Sequence, residues 1–279
     1  MAQPTPSLYA LDPSLPVLLR PDGAVQVGWS PGRAVLIRPP RGVTAVGLAT
    51  LLRTMHSPVP MSELQRRAEG LSAGELVNLV AQLVTAGVAT CGVRQRSARS
   101  ASIRVHGRGP LSDLLAEGLR CSGARVKQTN QPHAAVTSAD TDLVVLSDNL
   151  VADPRMLREL HSQGVAHLAV RVRDGIGLVG PLVVPGVTSC LGCADLHRRD
   201  RDAAWPAVAA QLRDTVGVAD RATLLATAAL ALSQVNRVIG AIRGTDSEPP
   251  AALNSTLEFD VHAGSIVARQ WPRHPLCSC

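Results

Sequence analysis

Four cysteines stand in two close pairs, Cys190-Leu191-Gly192-Cys193 and Cys277-Ser278-Cys279, at opposite ends of the C-terminal half of a 279-residue chain. A C-x-x-C turn presents two thiolates from one tight loop, and tetrahedral zinc in a structural site takes four soft sulfurs at about 2.3 Å. Read this way, one zinc ion fastens the tail to the middle of the chain and closes a long loop. Gly192 and Pro275 suit the tight turns that such knuckles need. The competing readings are a disulfide or four unrelated buried thiols. Disulfides belong to secreted chains, and Met1 to Pro16 shows neither a basic start nor an apolar run before a small-residue cleavage site. The expectation is therefore a cytoplasmic chain with a metal site. His197 and His274 lie near the pairs as substitute ligands ranked below the thiols. Cys91 and Cys121 have no partner at metal spacing and are read as small core residues.

Hydrophobic residues make up 46% of the chain and aromatics only 2%, so any core must be built from Ala, Val and Leu, with length enough for two domains. The net charge of +6 comes from cations interleaved with acids, which describes a solvated arginine-rich surface better than a nucleic-acid footprint. No membrane span is expected: the most apolar stretch, Leu224 to Ser233, runs directly into Gln234, Asn236 and Arg237.

Arg94 to Ser102 is polar, small and without hydrophobic period, a linker that divides the chain into residues 1–97 and 98–279. In the first part, Ala24 to Trp29 and Ala34 to Arg38 flank Ser30-Pro31-Gly32-Arg33 as a hairpin, and Leu15 to Arg20 adds a strand. Helices follow at Val43 to Thr54, from Ser62, and after the capping box Ser72-x-x-Glu75, where Leu76, Leu79, Val80, Leu83 and Val84 recur at helical spacing up to Gly87. With a last strand at Val88 to Val93, this pattern predicts a winged helix of α+β type. Such folds read DNA through the third helix, but Ala73 to Ala86 holds no Lys or Arg, so DNA is disfavoured for want of phosphate-neutralising cations. The fold's other use is to accept an extended peptide along its sheet edge, with Val25, Val27, Val35 and Ile37 as candidate contacts.

From Ser102 the pattern becomes strand, glycine turn, helix, strand. Ile103 to His106 runs into Gly107-Arg108-Gly109-Pro110-Leu111, the opening of a dinucleotide-type α/β fold whose Gly-rich turn admits a phosphate to a helix N-terminus. Gly107 and Gly109 are candidate cofactor contacts. The motif is damaged: Ser112 takes the third glycine position, Pro110 removes an N–H, and no acid follows the strand at Arg125 to Lys127 to hold a ribose. The strand Asp142 to Ser147 ends in Asp148-Asn149, either a carboxylate at the ligand-binding edge or a helix cap. Pro154 to Ser162 and Arg221 to Arg243 are helices, the latter ~35 Å long. Val165 to Arg173 is a strand, and Leu257 to Val261 with Ser265 to Gln270 forms a hairpin that delivers the second cysteine pair. His197-Arg198-Arg199-Asp200-Arg201-Asp202 lacks a nucleophile at catalytic spacing and is read as a charged stretch for partner docking, with His197 and Arg198 as contacts.

Together, the glycine turn, Asp148-Asn149, Gly180-Pro181-Leu182-Val183-Val184-Pro185-Gly186 leading into Cys190-x-x-Cys193, and the ending Trp271 to Cys279 resemble the ThiF/MoeB superfamily of ubiquitin-activating-like adenylating enzymes. Pro185 to Arg198, followed by Trp205-Pro206 and Gln211-Leu212, is similar to the branch of bacteriocin-biosynthesis cyclodehydratase or leader-peptide-binding proteins. The resemblance implies an α/β chain in which a winged-helix peptide clamp, residues 1–97, precedes a Rossmann-like ThiF-type domain, residues 98–279, with a four-cysteine zinc site. It implies a role in binding a precursor's leader and presenting its core to a separate YcaO-type enzyme that uses ATP to form azolines. Relatives of this body often pair through their sheets, so a homodimer is one state it allows. Adenylating relatives place Arg and Lys between the second strand and the Asp-Asn strand, whereas Asn130 to Thr141 has neither; a body without those charges is expected to be non-catalytic. The alternatives are an active adenylyltransferase using ATP and Asp148 on a carrier or peptide carboxylate, and a zinc-containing DNA-binding regulator.

Overall fold

A computed structural model describes residues 7–93, 99–131, 136–244 and 248–279. Part of the expected linker, residues 94–98, lies outside the described residues. Contacts cluster the chain into two compact units, Met1–Ser97 and Ala98–Cys279.

The first unit holds β1 (Ser7–Leu11), β2 (Val17–Leu19), β3 (Val25–Val27), β4 (Val35–Ile37), α1 (Ala45–Thr54), β5 (Val59–Pro60), α2 (Met61–Arg67), α3 (Ala73–Thr85) and β6 (Ala89–Val93). They form two three-stranded sheets, β5-β1-β6 and β2-β3-β4. Strands β1 and β5 were not expected; both are short and sit beside prolines, which hide the period-2 pattern. The capping box on α3 forms as the sequence predicts: Ser72 N–H donates to Glu75 Oε2 at 2.9 Å and Glu75 N–H to Ser72 Oγ at 3.3 Å. Leu76, Val80 and Leu83 from α3 meet Leu48 and Leu52 from α1 in a core that also takes Val25 and Val27. Cys91 is exposed on β6, an edge strand, and Cys121 is exposed at the end of its helix, so neither is the core residue expected.

The second unit is a Rossmann-like α/β body. Its strands are β7 (Ser102–His106), β8 (Arg125–Thr129), β9 (Leu143–Ser147), β10 (Ala166–Arg173), β11 (Ile176–Val183), β12 (Ser255–Asp260) and β13 (Ser265–Gln270). They lie in the order β13-β12-β11-β10-β9-β7-β8. Strands β8, β7, β9 and β10 run parallel, and β11 to β13 extend the sheet antiparallel. The helices are α4 (Pro110–Cys121), α5 (Pro154–Ser162), α6 (Leu191–Arg201), α7 (Trp205–Leu212) and α8 (Arg221–Arg243). β11 escaped the sequence reading because Gly180-Pro181 interrupts its pattern, and α7 because Pro206 sits at its start.

Helix α8 is long and apolar enough, by length and composition, to cross a membrane. Here Leu224, Ala228, Ala231, Val235 and Ile239 make a stripe at helical spacing that enters the main core beside Leu115 and Leu119 of α4 and Val170 and Val172 of β10. On β10, His167 is fully buried; its Nδ1–H donates to Val165 O at 3.1 Å, and Nε2 has no partner among the described residues. Burial pulls this imidazole from its ordinary 6.5 down to about 4. Above pH 6.5 both folded and unfolded forms are neutral. As pH falls from 6.5 to 4, the unfolded chain takes up a proton that the folded chain refuses, so stability is lost, by up to roughly 3 kcal/mol. Denaturant titrations from pH 7 to 4 are expected to show this decline, and His167→Leu to flatten it; an unchanged slope in the variant would assign the decline elsewhere.

Candidate metal centre and nucleotide-type crevice

The turn after β11 leads into α6, with Cys190 as its N-cap residue and Cys193 in its first turn. The strand β13 returns the chain so that the tail meets this turn. Cys190 Sγ lies 3.9 Å from Cys193 Sγ and 3.5 Å from Cys277 Sγ, and Cys193 Sγ lies 3.4 Å from Cys279 Sγ. All four sulfurs fall within 4.8 Å of one another, and every one of these cysteines is a free thiol. Four ligands at 2.3 Å around a tetrahedral zinc are about 3.8 Å apart, so this donor set fits the ion. Backbone N–H groups point at the sulfurs, Cys193 N at Cys190 Sγ (3.4 Å) and His274 N at Cys193 Sγ (3.3 Å). Burial alone would raise the Cys193 thiol, but such hydrogen bonds bring it down to about 7, while burial pushes Cys190 and Cys279 up. When bound, zinc would hold all four as thiolates.

The two histidines lie outside the four-sulfur cluster and group instead with Asp200. His274 Nδ1 accepts from Leu276 N–H at 3.1 Å, which leaves its proton on Nε2, 2.8 Å from Asp200 Oδ2. His197 Nε2 donates to Pro272 O at 3.0 Å. Arg198 lies between the Trp271 and Trp205 rings, 4.7 and 5.3 Å from their centroids, with Asp195 Oδ1 at 2.8 Å. His197 and Arg198, expected as partner contacts, are thus engaged in holding the tail against α6. The sequence missed this because Trp205 and Trp271 approach only through tertiary folding.

At the C-terminal ends of β7, β9 and β10 lies a crevice of about 260 Å³, the ligand position of such sheets. Asn149 lines it, and its Nδ2 donates to Arg213 O at 3.2 Å. Asp148 turns inward, with φ +71° and 1% exposure. Its Oδ1 accepts from Leu111 N–H at 2.9 Å and its Oδ2 from Ser112 N–H at 3.2 Å, so the carboxylate caps α4 where a phosphate would sit. A Cβ on Gly109 would stand 2.7 Å from Asp148 Oδ1, and one on Gly107 would meet Ser147 Oγ and O first and Asp148 Oδ2 at 2.8 Å. Gly109 admits the chain's own carboxylate, while Gly107 packs on Ser147 and lines the crevice. The expected lack of cations is corrected, because Arg108, Arg171 and Arg213 reach the crevice from outside residues 130–141.

The candidate peptide contacts divide by face. Val25 and Val27 are fully buried, and their core position corrects the expectation that they meet a peptide; Val35 and Ile37 are half-buried. The outward face carries Leu18, Gln26 and Leu36, neighbours across β2, β3 and β4, with Leu36 57% exposed.

No known family profile matches the sequence, and no curated protein matches it. Solved structures do match. A heterocyclase in complex with substrate and cofactor superposes with a TM-score of 0.67 at 16% identity, covering 98% of this chain and 39% of that one. The heterocyclase TruD gives 0.66 at 17% identity, covering 98% and 42%. E. coli MccB, solved with AMPCPP and MccA, gives 0.60 at 14% identity, covering 97% and 99%. The chain thus spans about two fifths of the heterocyclase chains and nearly all of MccB. Its fold is the one these heterocyclases share with MccB.

Proposed function

We propose that the chain is a zinc-stabilised, non-catalytic ThiF-like adaptor, cytoplasmic, that binds the leader of a ribosomal precursor peptide and presents the peptide to a YcaO-type cyclodehydratase. The observation that carries this reading is Asp148: a carboxylate placed on the α4 amides leaves no donor pair there for a nucleotide phosphate. Cys190, Cys193, Cys277 and Cys279 hold the zinc as a structural clip. The first unit serves as a winged-helix clamp. Among the described residues β4 pairs only with β3, so its other edge offers unpaired backbone groups to an extended peptide, while Leu36 and Leu18 offer apolar contact beside it. Support also comes from the matched heterocyclase, solved with a substrate, and from MccB, solved with MccA.

Fluorescence titration of the full chain with synthetic leaders of neighbouring precursor genes tests the clamp. Saturable binding is expected, with backbone shift changes along residues 15–38. Leu36→Asp should weaken it roughly tenfold or more, the worth of one buried Leu contact. Absence of binding to every such leader, or full affinity in the variant, would remove the clamp.

A second reading, an ATP-dependent adenylyltransferase, is favoured by Arg108, Arg171 and Arg213 in the crevice. ATP–pyrophosphate exchange above background would restore it.

A further inference from the structure

Arg171 projects from the middle of β10 and is only 7% exposed. Among the described residues no acceptor hydrogen-bonds its guanidinium. Asp195 is the carboxylate that favours its charge, and Asp195 Oδ1 already accepts from Arg198 at 2.8 Å and from Trp205 Nε1 at 3.2 Å. Burial pushes the guanidinium from its ordinary range down to about 10, and the neighbouring Arg198 charge adds to the shift. A buried cation left without an acceptor is costly, and native interiors pair such groups. Its guanidinium opens onto solvent-filled cavities, where a solute anion can reach it.

Besides the crevice, Arg171 lines a separate cavity of about 290 Å³ on the sheet face beneath α6. Arg173, Arg198, Arg201 and Arg269 also reach this cavity, against two carboxylates. Each already accepts a hydrogen bond: Glu258 Oε1 from Arg269 Nε at 2.8 Å, and Asp202 Oδ1 from Ala204 N–H at 2.9 Å. Trp205 and Trp271 form part of the wall. The result is a positive enclosure with one fixed, unpaired fork of donors, the arrangement that takes a planar or tetrahedral oxyanion in two parallel hydrogen bonds.

We propose that Arg171 is the anchoring cation of a binding site for a compact oxyanion, a carboxylate or a phosphate group, in the sheet-face cavity between α6 and strands β10 to β12. The site uses no residue of the peptide clamp and shares Arg171 alone with the nucleotide-type crevice. Its ligand is small and singly anchored, with the tryptophan rings excluding water around it.

The test uses the full zinc-loaded chain in a Trp29→Phe background, so that fluorescence comes from Trp205 and Trp271. At low ionic strength, inorganic phosphate is titrated in one arm and N-acetylglycine in another, with N-acetylglycinamide as the uncharged control. A saturable change with phosphate alone assigns a phosphate site, with N-acetylglycine alone a carboxylate site; the amide is expected to be silent. Arg171→Met should lower affinity by tenfold or more while leaving the unfolding temperature equal or higher, because it removes a buried charge; a purely structural arginine would lower that temperature instead. Arg201→Met, which faces this cavity and not the crevice, should weaken binding, and Arg213→Met, which faces the crevice, should not. No response to either anion, an equal response in Arg171→Met, or sensitivity to Arg213→Met without sensitivity to Arg201→Met would each overturn the assignment.

Discussion

Replacing Cys193 with alanine is expected to empty the metal centre and to cost more than about 4 kcal/mol, the class of loss reserved for broken metal sites and cores. Cys193 is fully buried, its sulfur lies 3.4 Å from that of Cys279, and it accepts the His274 N–H. In the variant three thiols remain, Cys190 buried and Cys277 and Cys279 half-buried, and among the described residues His197, His274 and the Arg198 stack still tie the tail to α6. Elemental analysis should give one zinc per wild-type chain and none in the variant, and a strong chelator should reproduce the variant's fall in thermal stability in the wild type. Wild-type protein that contains no metal and whose unfolding temperature ignores the chelator would end the zinc assignment.

Asp148→Ala is expected to destabilise the second unit by roughly 3–5 kcal/mol, because two buried N–H donors at the start of α4 lose charge-assisted hydrogen bonds at once. The residue sits at φ +71°, which Asn tolerates, and Asn keeps one acceptor oxygen, so Asp148→Asn should cost less than half as much. Urea unfolding of both variants gives the measurement. The outcome that sinks the capping role is Asp148→Ala with wild-type stability and a selective loss of ATP–pyrophosphate exchange, since a catalytic carboxylate acts on rate and not on folding.

Local signals in the chain were legible where a few neighbouring residues decide the structure. The Ser72 to Glu75 box, the stripe along α8, the strand ending at Asp148 and the final hairpin all depend on side chains within a turn or two of each other. Elements broken by proline or glycine, such as β11 and α7, and strands of two to five residues beside prolines, such as β1 and β5, gave no periodic signal long enough to read. Residue type alone also misplaced Val25 and Val27, because it says what a side chain can do and not which face it occupies.

By itself, the sequence determined that four thiols would be available at metal-ligand spacing, that a cation-free third helix would follow a small sheet, and that a glycine turn would open an α/β body. These follow from covalent spacing and local periodicity. Only the tertiary structure decided that the two cysteine pairs meet within 4.8 Å, that Asp148 closes the α4 amides from 36 and 37 residues away, and that Arg171 is buried with no hydrogen-bond acceptor among the described residues. Each of those depends on the order in which strands are laid side by side in the sheet, a property of the packed core as a whole that no single stretch of the chain specifies.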